Sequence, residues 1–258
     1  MFGDARVSIG FVRADYDDPW TLACAVAAAF APRTSHGVPA AALSPRGQGG
    51  GGGVTMTNAL TGLTTICYAA QLFAQQRGWS LTDCGALKPS LIVRRGEWWR
   101  LITPMLLHSP PDEGFCGLPV HLVLNMRSLL NVGSALEQIY GPWRMLNVYV
   151  LSGVGGSALY SIVEGDESET VGASAGICGL VGALGATLYR HANPAAFESY
   201  VQSQRNNLGS NAAITIASNV SLMGHLGGFL TGAGFGLVAG PRPIVRYDRL
   251  GWHYLEWN

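Results

Sequence analysis

Charged residues are scarce in this sequence. Asp, Glu, Lys and Arg make up 12% of its 258 residues, whereas an average soluble domain has about 25%. Hydrophobic residues make up 48%, so there is too little charge to cover the surface of a soluble protein. The formal net charge is zero and no basic block is present, so no nucleic-acid partner is expected. The composition instead indicates a chain that contacts the lipid bilayer.

The cysteines lack the spacings by which cysteine and histidine bind zinc or form a disulfide framework. There are five cysteines, an odd number, and no two form a Cys-x-x-Cys pair. They are scattered along the sequence as Cys24, Cys67, Cys84, Cys116 and Cys178. Cys178 lies in an apolar run, where it is most simply a small packing residue. We therefore expect neither a disulfide framework nor a zinc site.

The first 53 residues are predicted to form a disordered tail that ends in a glycine-rich linker. Their apolar stretch, residues 20–30, is too short to span a membrane and lies too far from the start for a standard signal peptide. Two interpretations stay open: a weak interfacial segment, or a wrong gene start with Met56 as the true one. The transmembrane domain is predicted at residues 54–240, and a cytoplasmic C-terminal tail at 241–258.

Five segments have the length and apolarity of membrane spans, which need about 20 residues each. They are residues 54–74, 120–136, 143–163, 171–189 and 222–239. The predicted fold is therefore all-α, a polytopic bundle of transmembrane helices. Residues 164–169 are acidic, whereas arginines such as Arg144, Arg190 and Arg242 lie at the opposite ends of the spans. The positive-inside rule then places the start of the last two segments on the lumenal or exterior side.

A serine and a histidine occupy the starts of those last two segments. Ser174 follows Gly172, and His225 lies in Gly-His-Leu-Gly-Gly. A serine hydroxyl is a weak nucleophile until a neighbouring imidazole takes its proton, so the pair predicts a Ser-His dyad. Gly172 leaves room for a substrate backbone, and Ser174 at a helix start can offer backbone N–H groups to a developing oxyanion.

Two further polar residues in an apolar segment fit the same chemistry. His121 and Asn125 are four residues apart, so they share one face of a helix. Both side chains carry hydrogen-bond donors, and donors aimed at a developing oxyanion stabilise the transition state of acyl transfer. Histidine and asparagine are costly in lipid and usually mark function or bonding between helices. We expect them to be oxyanion donors; purely structural bonding is the alternative.

The sequence from about residue 88 to 240 resembles the rhomboid intramembrane serine proteases. Five motifs match in order: Trp-Arg within residues 96–104, His-x-x-x-Asn at 121–125, Gly-x-x-x-Glu-x-x-x-Gly at 133–141, Gly-Ala-Ser at 172–174, and His-x-x-Gly-x-x-x-Gly at 225–232. The resemblance implies six spans and an endopeptidase that cleaves transmembrane or juxtamembrane segments of single-span membrane proteins. Ser174 would attack, His225 would act as the base, and Asn125, His121 and the Ser174 N–H would hold the oxyanion. The resemblance implies no metal and no organic cofactor.

The resemblance also implies a multi-pass integral membrane protein, for which we favour the secretory pathway or the plasma membrane. The alternative function is a catalytically inactive rhomboid-like protein that binds client transmembrane helices. A small-solute transporter is disfavoured, because the sequence has no inverted repeat and no intramembrane acidic residue to couple ions.

Three features depart from the family pattern. Ala175 stands where the family usually has glycine, and Arg127 lies within the second segment, where we expect it to face away from Asn125. Residues 190–221 stand where the fifth span should be, yet they are mostly polar and costly to place in hydrocarbon. Three explanations stay open: a shortened gene model, a span sheltered by the bundle, or a product whose His225 cannot reach Ser174.

Overall fold

Eight helices and one hairpin make up the part of the chain that the computed structural model describes, residues 55–110, 119–191, 198, 200–202, 221–247 and 253–257. The helices are α1 (Met56–Gln76), α2 (Leu81–Gly85), α3 (Pro89–Arg95), α4 (Val120–Ser128), α5 (Ser134–Tyr140), α6 (Pro142–Glu164), α7 (Ser174–His191) and α8 (Leu222–Ala239). Short 3₁₀ turns at Trp98–Leu101 and Thr103–Leu106 follow α3, and a π-turn at Leu129–Gly133 joins α4 to α5.

The predicted all-α bundle is confirmed. Each of the five predicted spans corresponds to a helix or, for residues 120–136, to the continuous α4–α5 run. Among the described helices, α6 and α8 are long and apolar enough to cross a membrane by length and composition. One element was not predicted: an antiparallel hairpin of β1 (Pro243–Tyr247) and β2 (His253–Trp257) lies in the predicted C-terminal tail.

Helices α7 and α8 pack in parallel with their backbones in contact. A Cβ atom on Gly228, Gly232 or Gly236 would overlap a carbonyl oxygen of α7, and those oxygens belong to Ala175, Gly179 and Ala183. Both series advance by four residues, so the two helices run in the same direction and present one glycine per turn. Such small-residue stripes allow close approach of helices in lipid. The glycines of α8 therefore bring the two backbones together.

The parallel packing places the starts of α7 and α8 at the same end of the bundle. Because α7 is about 27 Å long at 1.5 Å per residue, the chain must return over that distance between the end of α7 and the start of α8. Most of the return, including residues 203–220, lies outside the described residues. Tyr200 is described: it is buried, and its hydroxyl donates to the carbonyl oxygen of Val181 at 2.8 Å. This contact lies midway along α7. A membrane crossing by residues 190–221 stays a prediction.

Glu137 ties α5 to the first helix. Its carboxylate accepts from the N–H groups of Met56 and Thr57 at 2.8 and 2.9 Å and from the Thr57 hydroxyl at 2.6 Å. These are the unpaired donors at the start of α1, where the helix dipole favours a negative charge. The Gly-x-x-x-Glu-x-x-x-Gly motif therefore has a packing role: it fixes where α1 begins.

A buried arginine organises the long connection between α1 and α4. The Arg100 guanidinium donates to Glu97 at 2.6 Å and to the carbonyl oxygens of Ala86 and Asp83, both at 2.8 Å. Burying a guanidinium is tolerable only when its donors are satisfied. The Trp-Arg motif thus shapes the loop. Arg127 is exposed whereas Asn125 is buried, so Arg127 faces away from Asn125, as expected.

The contact between α7 and α8 can be tested by comparing two variants, each with alanine in place of one glycine of α8. Gly232→Ala places a methyl group against the Gly179 carbonyl, whereas Gly234→Ala meets no atom within 4 Å. Overpacking of a close contact costs about 1–3 kcal/mol, while alanine in open helix is favourable by about 1 kcal/mol. We expect Gly232→Ala to lower the thermal midpoint in detergent by several degrees and Gly234→Ala to leave it unchanged or raised. Equal midpoints for the two variants would contradict the close contact.

Candidate active site

The structure brings Ser174 and His225 together. The Ser174 hydroxyl oxygen lies 2.7 Å from His225 Nε2, which is a good hydrogen-bond distance. Ser174 is the first residue of α7, and His225 lies in the first turn of α8. The start of α8 is fixed by Ser221, whose hydroxyl accepts from the Gly224 N–H at 2.9 Å. The parallel helices therefore hold the predicted nucleophile and the predicted base in contact.

A cavity of about 300 Å³ opens beside this pair. Its wall includes Ser174, His225, His121 and Gly172, together with residues from the long α1–α4 connection such as Met105. Four of the five predicted site residues thus line one cavity. A peptide segment entering it would meet the Ser174 hydroxyl directly.

Gly172 has the backbone conformation that its position requires. Its φ is +134°, and a Cβ atom would lie 2.9–3.0 Å from the ring of His121. Any side chain would therefore be strained and would push the imidazole away. The Gly172 N–H donates to the Pro104 carbonyl at 2.8 Å, so this donor is already used. Gly172 serves to let His121 approach Ser174.

The His121 ring presents one nitrogen to the α1–α4 connection and the other to the cavity. Nδ1 lies 3.4 Å from the Ser109 backbone nitrogen, which donates to it, and 3.2 Å from the Ser109 hydroxyl. Nε2 lies on the side of Gly172. Since a backbone N–H can only donate, Nδ1 accepts, and in the neutral ring the proton is then on Nε2. His121 therefore offers an N–H donor to the cavity beside Ser174.

Asn125 lies one turn further along α4. It is buried, and its side-chain N–H donates to the His121 carbonyl oxygen at 2.8 Å. It is the one predicted site residue that is not part of the described cavity wall. Its role as a direct oxyanion donor stays a prediction, while the contact that the structure gives it supports the backbone of His121.

The start of α7 adds a second kind of donor. The first N–H groups of a helix have no partner within that helix, and they carry the positive end of its dipole. Ser174 is at this position. An oxyanion formed on a carbonyl attacked by Ser174 would lie near these N–H groups and near His121 Nε2.

Carboxylates do not reach the dyad from the described cavity wall. The one acidic residue among the described lining residues is Glu169, and its carboxylate pairs with Lys88 at 3.1 Å. Lys88 also pairs with Asp83 at 2.9 Å, and this hydrogen bond holds the pKa of Asp83 below its usual value. The Glu169 carboxylate is thus already paired, so the arrangement is a serine and a histidine without an orienting acid in the described wall.

The segment before Ser174 is held by the α1–α4 connection. Leu87 and Thr170 form a two-bond antiparallel bridge, with N···O distances of 3.0 and 3.2 Å. Arg94 also pairs with Asp166 at 3.3 Å. The long connection therefore positions the approach to the nucleophile.

Gln71 and Ser109 are contributors that the sequence did not identify as such. The Gln71 side-chain amide accepts from the His108 N–H at 3.0 Å and donates to the His108 carbonyl at 3.1 Å. His108 is fully buried, and burial lowers its pKa to about 3, with nearby His121 adding to the effect. An uncharged His108 is thus an anchor of the connection. A glutamine in an apolar segment was the available signal, because polar residues there usually bond to other helices.

Comparison with known proteins identifies the family. The rhomboid domain model matches residues 95–242. RHOMBOID-like protein 6, mitochondrial, of Arabidopsis thaliana is 35% identical over 176 residues, which cover 67% of this chain and 52% of that protein. Rhomboid protease GluP of Bacillus subtilis (strain 168) is 35% identical over 162 residues, or 59% and 28% of the two chains. The chain therefore spans about half or less of the length of these relatives.

The family also contains a protein described as inactive. Inactive RHOMBOID-like protein 8 of Arabidopsis thaliana is 33% identical over 114 residues, which cover 44% of this chain and 30% of that protein. This chain belongs to the rhomboid family and is an integral membrane protein.

Reaction with a serine-directed probe tests the contact between Ser174 and His225. A fluorophosphonate should label the purified protein in detergent, because the imidazole can accept the hydroxyl proton during attack on phosphorus. Ser174→Ala should abolish labelling, whereas Thr65→Ala should leave it unchanged, since the Thr65 hydroxyl is exposed and donates within α1. Equal labelling of wild type and Ser174→Ala would remove Ser174 as the nucleophile.

Proposed function

We propose that this chain is an active intramembrane serine endopeptidase that works with a Ser174–His225 dyad. The observation that carries the proposal is the 2.7 Å contact between the Ser174 hydroxyl and His225 Nε2 beside a cavity. Family membership supports the reaction class. Family membership alone does not establish activity, because one relative is described as inactive.

In the first half of the reaction, the Ser174 oxygen attacks the scissile carbonyl and His225 Nε2 takes the hydroxyl proton. The carbonyl oxygen becomes an oxyanion, which accepts from the donors at the start of α7 and from His121 Nε2–H. The carbon–nitrogen bond then breaks, and His225 gives its proton to the leaving amine. The products of this half are the amine fragment and an acyl ester on Ser174.

In the second half, water attacks the ester while His225 takes a proton from it. The same donors hold the second oxyanion, and His225 returns the proton to the Ser174 oxygen as the ester breaks. The carboxylate fragment leaves, and the dyad is restored. No metal or organic cofactor enters this sequence, because each proton moves between the dyad, the substrate and water.

The proposed substrates are membrane proteins with a single span, cleaved within or next to that span. Rhomboid proteases act on membrane proteins in the bilayer, and the cavity lies at the shared end of α7 and α8. An unwound segment of a substrate helix could enter there with its backbone extended past Gly172. We further propose that the protein is multi-pass; the secretory pathway or plasma membrane stays a prediction.

Cleavage of a model single-span substrate in proteoliposomes tests the assignment of roles. His225→Ala should reduce cleavage to the background of Ser174→Ala, because each variant removes half of the dyad. His121→Ala should lower kcat about 10²–10³-fold, as loss of an oxyanion donor does. Asn125→Ala should retain measurable activity, since its amide contacts the His121 carbonyl. Thr65→Ala is the matched control for folding and reconstitution.

Two results would contradict these roles. If folded Asn125→Ala were as damaging as His225→Ala, the assignment of the oxyanion donors would be wrong. If wild type did not exceed the Ser174→Ala background with any single-span substrate tested and did not react with the probe, the protein would belong with the inactive, helix-binding members.

A further inference from the structure

His121 can serve as an oxyanion donor only in one of its two neutral tautomers. The ring must carry its proton on Nε2, which faces Gly172 and the cavity, and leave Nδ1 as an acceptor. With the proton on Nδ1, the cavity would meet a lone pair instead, and a lone pair repels an oxyanion. Some contact at Nδ1 has to select the productive tautomer, since the hydrogen bond at one ring nitrogen decides the proton at the other.

Ser109 occupies that position. Its backbone N–H donates to His121 Nδ1 at 3.4 Å, and its hydroxyl lies 3.2 Å from the same nitrogen. A hydroxyl can turn to donate, so both groups of one residue can give hydrogen to Nδ1. Both contacts are long, so they orient the ring together rather than through one strong bond.

The neighbouring residue keeps Ser109 in place. Gln71 binds both the N–H and the carbonyl oxygen of His108, the residue before Ser109. The Gln71 amide also donates to the Thr82 hydroxyl at 3.0 Å, so its own orientation is fixed. The backbone that carries the Ser109 N–H is therefore clamped to α1.

We infer that Ser109 is a positioning residue that holds His121 with its Nε2–H directed into the active-site cavity. The inference rests on the proposed function, because it gives His121 a donor role in the reaction. Ser109 itself needs no contact with the reacting atoms. Its effect is transmitted through the tautomer and ring orientation of His121.

The tautomer can be measured without any assay of activity. Nitrogen-15 NMR of the histidine-labelled full chain in lipid bilayers distinguishes protonated from bare ring nitrogens. The chain has six histidines, so the His121 signals are assigned by their loss in His121→Gln. We expect a bare Nδ1 and a protonated Nε2. A proton on Nδ1 would overturn the inference and leave the Ser174–His225 dyad untouched.

A double-mutant cycle then tests whether Ser109 acts through His121. Ser109→Ala removes one of two hydrogen bonds and should lower kcat about 3- to 10-fold with KM unchanged, and Ser109→Thr should restore it. In a His121→Ala background, Ser109→Ala should have no further effect, because the group that it positions is gone. Ser161→Ala is the control, since the Ser161 hydroxyl donates to a carbonyl within α6 at 2.8 Å.

Two kinetic results would overturn the inference. One is an unchanged kcat for Ser109→Ala. The other is the same fold-loss from Ser109→Ala with and without His121, which would mean that Ser109 acts on folding or on substrate directly. A chain that cleaves nothing would instead contradict the proposed function, while the NMR measurement would still decide the tautomer.

Discussion

The close parallel contact between α7 and α8 is the constraint on which the rest of the site depends. Gly228, Gly232 and Gly236 lie against carbonyl oxygens of α7, and this proximity brings the His225 imidazole to the Ser174 hydroxyl. Lipid provides little hydrophobic drive for two apolar helices to associate, so van der Waals packing has to hold them. Glycine gives that packing its closest approach. The same stripe therefore supplies both the stability and the reactive geometry.

The α1–α4 connection positions the parts of the site that the contact between α7 and α8 does not hold. It carries Ser109 to His121, bridges Leu87 to Thr170 before the nucleophile, and accepts the Gly172 N–H on the Pro104 carbonyl. Its own shape depends on a buried guanidinium, that of Arg100, whose donors are satisfied by the loop itself. A disturbance in this loop is expected to reach the oxyanion donors before it reaches the dyad. The contact between Ser174 and His225 thus depends on the packing of α7 against α8, and the position of His121 depends on the α1–α4 connection.

The contact between Ser174 and His225 was predictable from the sequence because its signals are strong in an apolar chain. Ser174 and His225 each lie near glycines at the start of an apolar segment. His121 and Asn125 are four residues apart, which places them on one face of a helix. The glycines repeated every four residues in α8 are likewise a sequence signal for a close helix contact. Gln71 stood out only as a polar residue in an apolar segment, and Ser109 had no sequence signal. The partners of both residues come from distant parts of the sequence. The hairpin at Pro243–Tyr247 and His253–Trp257 was missed, since its short strands lie in a segment interpreted as a tail.

Chain direction across the membrane tests the account most directly, because Ser174 and His225 can meet only if α7 and α8 start on the same side. Single cysteines at Glu167, Ser218, His191 and Arg242, in a chain freed of its native cysteines, can be labelled with impermeant reagents from each side. The account predicts that Glu167→Cys and Ser218→Cys react from one side, and His191→Cys and Arg242→Cys from the other. Labelling of Ser218→Cys together with His191→Cys, opposite to Glu167→Cys, would separate His225 from Ser174 by about 30 Å of hydrocarbon and contradict the dyad.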